Sequence, residues 1–341
     1  MIRNYKCPNC GSSMRFDSEL QKMVCEHCKT EKTVEEIEAV YALEPENEEI
    51  QTGEFKRYTC PSCGAKILAE DNTVATFCSF CGNPSLLEDR LNGVKMPAQI
   101  IPFQINRKQA VESYRNWCKQ GVLTPKSLLS SSTIDKITGI YVPFWLYDYE
   151  ASIYLEAHGT KNRMERKKDI EYTYTDHFKI IRDISDAYQK LPADASEKMP
   201  DEVMDQLEPF HYEDLKPFKM AYLSGYLAEK YDYTDKEIQE RVENRIKSYI
   251  TMEANNTITG YMTTMATNTD IKLKKKNAKY TMFPVWILHY RYGGKDHLFT
   301  MNGQTGKIVG TRPVSKTKMA GWFGGITTVI FFILMLIGGI L

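Results

Sequence analysis

Eight of the nine cysteines in this 341-residue chain fall in CxxC pairs: Cys7 and Cys10 with Cys25 and Cys28, then Cys60 and Cys63 with Cys78 and Cys81. In both sets fourteen residues separate the inner cysteines, and the second set is the first displaced by 53 positions. "YKCPNCG" and "YTCPSCG" also share their tyrosine, proline and glycine, so the front of the chain is an internal duplication. A CxxC turn presents two thiolates from one knuckle, and two knuckles joined by a short hairpin make the tetrahedral sulfur cage that Zn²⁺ prefers. Four sulfurs close the coordination sphere. The expected chemistry is therefore structural: two zinc ions, each holding a ribbon of roughly 30 residues that has too little core to fold alone. Rubredoxin-like iron is the alternative ion. His27, inside "CEHC", is surplus to a site that four cysteines already fill. Cys118, in "YRNWCKQ", reads as a small buried apolar residue on a helix.

Cysteines grouped in this way point to a reducing compartment, and "MIRNYKCPNCG" lacks the apolar stretch of a signal peptide, so a cytosolic start is expected. The 44 Lys plus Arg balance 44 Asp plus Glu, so any electrostatic argument must be local. Ribbon one has a small cationic excess that "EEIEAVYALEPENEE" cancels, and ribbon two is balanced. Proteins that grip phosphates need a clustered basic face, which neither ribbon shows. Protein interaction is the favoured role for the ribbons, and nucleic-acid binding in replication or transcription is the alternative.

Composition, 42% hydrophobic and 26% charged, allows an ordinary globular core. After Leu91, "IIPFQI" reads as a strand. A helix follows, with Asn106 as N-cap, Gln109 at N3, an apolar face of Ala110, Val111, Tyr114, Trp117 and Cys118, and Gly121 as its stop. A second helix is signalled in "YTDKEIQERVENRIKSYI" by a Thr234/Glu237 capping box, a Tyr233/Ile238 staple and a stripe of Ile238, Val242, Ile246, Tyr249 and Ile250. Two further segments resemble each other, aligning Pro143 with Pro284, Trp145 with Trp286 and Tyr149 with Tyr290. Each is expected to start a strand at its proline. "NGQTG" should fold "HLFTM" onto "KIVG" as a hairpin. The fold class expected is α+β: two N-terminal four-cysteine zinc ribbons, a duplicated antiparallel α+β body and one C-terminal transmembrane helix.

The body carries no HExxH, GxSxG, P-loop or GxGxxG pattern. Asp148 and His289 occupy aligned positions and would form a dyad only if the two β units brought them together. Lys272, Lys274, Lys275, Lys276 and Lys279 cluster in "IKLKKKNAKY"; a solvated strand edge is the plain explanation and contact with anionic lipid the functional one. From Met319 to Leu341 no residue is charged. At ~1.5 Å per residue this stretch spans about 34 Å, enough for the ~30 Å hydrocarbon core of a membrane. Arg312, Lys316 and Lys318 form a membrane-proximal basic flank, which puts the preceding chain in the cytosol by the positive-inside rule. Gly321 and Gly325 make one GxxxG. The expected division is ribbon 1 over residues 1–32, an acidic helical linker over 33–55, ribbon 2 over 56–90, the α+β region over 91–318 and the span over 319–341.

Tandem CPxCG ribbons followed by "IIPF", "YVPFWLYD", "LEPFHYEDLKPF", "YLSGYLAEKYD", "PVWILHY" and "NGQTGKIVG", then a hydrophobic span, resemble a bacterial family of membrane zinc-ribbon proteins often labelled TFIIB-type or primosome-like. The resemblance covers nearly the whole chain. It implies companions rather than chemistry: an SPFH-type (stomatin/flotillin) protein, another membrane zinc-ribbon or small membrane protein, and phage-shock protein A, in envelope stress. It supplies no catalytic residues. One departure is Lys29, which stands after Cys28 where Cys10, Cys63 and Cys81 are followed by glycine, so a tighter or less regular knuckle is expected there. Together these features lead to the expectation of a non-enzymatic adaptor anchored in the cell membrane.

Overall fold

The computed structural model describes residues 2–41, 55–59, 66–70, 73–77, 84–87 and 96–338. The fold is mixed α+β, with six α-helices among the described residues: α1 (Val34–Tyr41), α2 (Arg107–Gln120), α3 (Ser131–Ile134), α4 (Asp201–Gln206), α5 (Gln239–Asn256) and α6 (Lys316–Gly338). The chain divides into two compact units. Unit 1 comprises Met1–Pro143, Lys198–Lys230 and Met282–Leu341; unit 2 comprises Phe144–Glu197 and Tyr231–Thr281.

Unit 1 opens with a three-stranded ribbon, Met14–Asp17, Lys22–Cys25 and Glu31–Lys32, followed by α1. Thr33 and Glu36 cap that helix reciprocally, the Glu36 carboxylate accepting the Thr33 N–H at 2.8 Å and the Thr33 hydroxyl accepting the Glu36 N–H at 3.1 Å. Shifting the ribbon strands by 53 positions lands them on the described strands Lys66–Glu70, Thr73–Phe77 and Pro84–Leu87; the register of the last two recurs, Met23 opposite Lys32 as Thr76 is opposite Ser85, whereas Lys66–Glu70 pairs with Phe55–Thr59 instead. Thr73–Phe77 pairs on one side with Pro84–Leu87 and on the other with Leu227–Glu229, which runs parallel to Ile140 and Tyr141. The helix α2 begins and ends where sequence places it: Asn106 and Gln109 form a complete capping box, and Gly121 is the C-cap. Its buried residues Tyr114 and Trp117 meet Phe299 of the hairpin Lys295–Asn302/Ile308–Gly310, with ring centroids 4.9 and 5.3 Å apart. The strand expected in "IIPFQI" is only Gln99–Ile100; beyond it the backbone is extended and bonds singly, Ile101 N–H to Met282 O and Gln104 N–H to Gly303 O.

Unit 2 is built on one long hairpin, residues 144–167 against Ile170–Asp194, with a third strand over residues 263–281 and α5 packed on it. Val242, Ile246, Ile250 and Ala254 bury one stripe of α5, as a 3.6-residue period requires, whereas Tyr249 is half-buried. The Thr234/Glu237 pair caps a separate turn rather than the helix itself, which starts at Gln239 with Ile238 as N-cap.

The aligned prolines do not start strands. Pro143 and Pro284 lie inside the strands Thr138–Lys167 and Thr263–Tyr292. Both sit where the strand changes partner: the parallel pair with Leu227–Glu229 ends at Tyr141 and the hairpin ladder starts at Phe144, while the second ladder starts at Val285. At such a junction a missing N–H costs no ladder bond. Both aligned tryptophans donate to the residue just ahead of a capping turn: in unit 1 Trp286 Nε1–H to Ile105 O at 3.1 Å, and in unit 2 Trp145 Nε1–H to Tyr233 O at 2.9 Å. Two residues earlier, Phe103 and Tyr231 stand 5.2 and 5.3 Å from the same indoles. The likeness of the two Pro-x-Trp segments therefore extends to the partners of their tryptophans, each bonded to a backbone carbonyl ahead of a turn and packed on an aromatic ring two residues earlier.

Candidate metal centre

The thiols of Cys7, Cys10, Cys25 and Cys28 converge until their sulfurs all lie within 4.8 Å of one another, and the Cys7–Cys28 and Cys10–Cys25 pairs are 3.5 Å apart. A tetrahedral ion with ~2.3 Å metal–sulfur bonds needs sulfurs about 3.8 Å apart, so the four residues can hold a metal ion with little adjustment. The donor set is all sulfur, and His27 is exposed outside it. The Thr30 hydroxyl, 3.0 Å from Cys28 Sγ, and the Thr30 N–H pull the Cys28 thiol down to about 6, toward the thiolate a metal requires. Cys60, Cys63, Cys78 and Cys81 lie outside the described residues.

The two knuckles are regular, contrary to the expectation from Lys29. After Cys10, Gly11 has φ +72° and donates to Cys7 O at 2.8 Å; after Cys28, Lys29 has φ +59° and donates to Cys25 O at 3.1 Å. Lysine simply adopts the left-handed conformation that glycine takes freely, at a cost of about 1 kcal/mol. Lys29→Gly is expected to raise the thermal midpoint by a few degrees, equivalent to about 1 kcal/mol, in a melt of the metal-loaded protein.

The ribbon is a docked part of unit 1. Phe16 N–H donates to Ser224 O at 3.0 Å, the Ser224 hydroxyl donates to Met14 O at 2.9 Å, and Phe16 stacks edge-on against Tyr222 with centroids 5.2 Å apart. Gly225, at φ +100°, lets this turn approach Arg15, and Tyr226 stacks flat on Phe103 at 4.0 Å. From α1, Glu38 accepts both the Tyr5 hydroxyl at 2.6 Å and the Ala221 N–H at 2.8 Å. "YLSGY" is thus the seat of the four-cysteine ribbon.

A second polar assembly, which sequence reasoning missed, uses "NGQTG" and "LEPFHYED". Asn302, fully buried, donates from Nδ2 to Leu207 O and Pro209 O at 3.0 and 3.2 Å, and its Oδ1 accepts Gln304 N–H and Thr305 N–H at 2.9 and 3.0 Å. Gln304 accepts His211 N–H at 2.8 Å and donates to His211 O and Asp214 at 3.0 and 2.6 Å. The Asn302 amide thus uses its donors to pin one loop to the other and its oxygen to hold its own turn. The signal was present in the sequence: two amides at a glycine-rich turn that joins two half-apolar strands must find partners where they are buried.

The remaining candidates have structural occupations. Asp148 accepts Lys190 N–H at 2.8 Å at the bulge between Tyr147 and Tyr149, and His289 stands opposite Leu298 in its ladder. Burial raises the Cys118 thiol, as expected of an inert core residue. The lysine run is largely paired: Lys274 and Lys276 reach Glu150, Lys275 lies 2.7 Å from Asp235, and Lys272 reaches Asp270.

The helix α6 is long and apolar enough to cross a membrane over Lys316–Met335, with none of that stretch buried. It is tied to unit 1 at its base. Ser315 N–H donates to Leu123 O at 2.9 Å, and Lys318 Nζ donates to Thr124 O at 2.7 Å and to Val122 O at 3.4 Å. Arg312 lies over the Trp117 ring at 4.8 Å and donates to Gln120 at 3.1 Å, while Lys316 is exposed.

Compared with known proteins, the chain is 44% identical over 339 residues to the uncharacterized protein YdjG of Bacillus subtilis (strain 168), covering 99% of this chain and 98% of that protein. No protein-family profile matches the chain. No solved structure matches it.

Proposed function

This chain belongs to the same family as Bacillus subtilis YdjG, and from that premise we propose that it is a zinc-loaded adaptor, anchored in the cell membrane by α6, that assembles partner proteins at the cytosolic face during envelope stress. The carrying observation is α6: a helix of membrane-spanning length, none of it buried over Lys316–Met335, bonded at its base to a folded unit. Four thiols at zinc-compatible separation support Zn²⁺ as the ion, in this ribbon and by duplication in the second. The flank of Arg312, Lys316 and Lys318 supports a cytosolic body. The resemblance drawn from sequence supplies the partners: an SPFH-type protein, a further membrane zinc-ribbon or small membrane protein, and phage-shock protein A. The division into two ribbons with an acidic linker, an α+β region and a span is part of the same proposal.

Unit 2 offers a surface for such a partner. The loop after α5 crosses the long hairpin at Phe178, where Tyr261 lies 5.5 Å away and Lys161 sits over both rings. Beyond that crossing Ile170, Tyr172 and Tyr174 share one strand face, and Ile170 and Tyr172 remain 59% and 42% exposed. An apolar face at a hairpin tip adds nothing to a core and suits a contact made with another protein.

Affinity capture from detergent-solubilised membranes tests this function. The wild-type chain is expected to recover the SPFH-type protein or phage-shock protein A. The double variant Ile170→Asp/Tyr172→Asp should lower recovery by about tenfold or more, the cost of losing an interfacial anchor, while its melting curve stays in place. Wild-type capture at background level would reject the adaptor.

A further inference from the structure

The net charge of zero hides a segregation that appears only when the chain is folded. Residues 113–134 and 297–341 contain no Asp or Glu, in a chain that has 44 of them. Bonds from Arg312, Ser315 and Lys318 to Gln120, Leu123, Val122 and Thr124 bring these two acid-free segments together at the base of α6. The exposed cations there are Arg115 and Lys119, one turn apart on α2, Lys126 just past the turn, and Lys316 at the start of α6. With Arg312 and Lys318 they make six cations, none of which forms an ion pair among the described residues. The bonds that Arg312 and Lys318 donate go to amide and carbonyl oxygens rather than to carboxylates, which leaves their charge uncompensated. Beside them Val122, 57% exposed, and Trp322, 54% exposed, line a groove of about 680 Å³ together with Lys318, Gly321 and Gly325.

We infer that the C-terminal half of α2, the turn after it and the base of α6 form a cationic collar that binds the anionic phospholipid headgroups of the bilayer α6 enters. The inference rests on the anchoring proposed above and extends it: the helix supplies insertion, and the collar sets how the attached unit meets the surface. Three features select lipid as the occupant. The cations surround the emergence point of an apolar helix, where a negatively charged leaflet surface lies within a Debye length. An exposed valine and an exposed tryptophan line one groove with Lys318, and tryptophan favours the interface for its amphipathic ring. The groove between them opens along the helix, where an acyl chain and headgroup run. Of the lysine run at residues 272–279, the sequence-based candidate for lipid contact, Lys272, Lys274, Lys275 and Lys276 are by contrast matched with carboxylates.

The test is lysine footprinting of the full-length chain in nanodiscs, comparing pure phosphatidylcholine with discs holding phosphatidylglycerol as well. Lys119, Lys126 and Lys316 are expected to be acylated at least about threefold more slowly in the anionic discs, whereas Lys22 reacts equally in both. The difference should vanish near 1 M salt, where the Debye length is ~3 Å. Equal rates in the two disc types would overturn the collar while leaving anchoring intact. Protection in phosphatidylcholine discs by duplex DNA, with none from anionic lipid, would overturn it in favour of a nucleic acid. A chain that leaves the disc when detergent is removed would overturn anchoring and collar together.

Discussion

Cys25→Ser is expected to release the metal of the first ribbon and loosen unit 1 well beyond the ribbon. Binding of a structural zinc contributes roughly 10 kcal/mol or more to a small ribbon, comparable with the ~5–15 kcal/mol that stabilises a whole domain, so three sulfurs and a hydroxyl should not keep the ribbon folded. The effect spreads because the ribbon is docked. Without it, Ser224 loses its hydroxyl bond to Met14 O and its carbonyl bond from Phe16 N–H, and Tyr222 loses Phe16. Hydrogen exchange should show residues 14–25 becoming unprotected and residues 220–226 following by about 2–3 kcal/mol, the net worth of two or three bonds and an aromatic contact. Metal analysis should fall by one equivalent per chain. Full protection at residues 220–226 in the metal-depleted variant would show that the seat stands without its ribbon.

Asn302→Asp is nearly isosteric and is nonetheless expected to cost about 3–5 kcal/mol. The wild-type Nδ2 group donates to the carbonyls of Leu207 and Pro209. In the variant a carboxylate oxygen faces both, so two buried acceptors lose their donor and a fully buried position gains a charge. The Oδ1 bonds to Gln304 and Thr305 survive, which confines the loss to the segment around residues 207–209. Equilibrium unfolding of Asn302→Asp beside the exposed control Thr311→Ser reads the effect. A shift no larger than the control's would mean that the loop pin carries no stability.

What was legible in the sequence was local. The limits of α2 followed from Asn106, Gln109 and Gly121, because a cap is a bond between residues three apart. The hairpin around residues 302–308 followed from its glycines and its alternation. The prolines were misread for an instructive reason. A strand that changes partner in its middle looks from its own residues like two strands, and only the partners show that it is one. Of the Thr234/Glu237 box only one half formed, the Glu237 carboxylate accepting the Thr234 N–H and hydroxyl, and it lies one turn ahead of the helix it was expected to cap. Lys29 shows the converse: the hydrogen bond to Cys25 O holds a knuckle in left-handed geometry whichever residue occupies it.

The sequence by itself determined the things that spacing and composition can specify: four thiols brought together by two knuckles, a duplicated Pro-x-Trp strand, and an apolar helix long enough for a membrane. Each is set within a few turns of chain, where geometry leaves little choice. Tertiary structure alone decided what those parts serve. It seated the ribbon on "YLSGY", gave each tryptophan a distant backbone carbonyl ahead of a turn, used Asn302 to join two loops, and gathered two acid-free stretches at the base of α6. These contacts join residues tens to some two hundred positions apart. A buried amide or an unpaired cation requires a partner by its chemistry, and which partner it meets depends on the path of the folded chain.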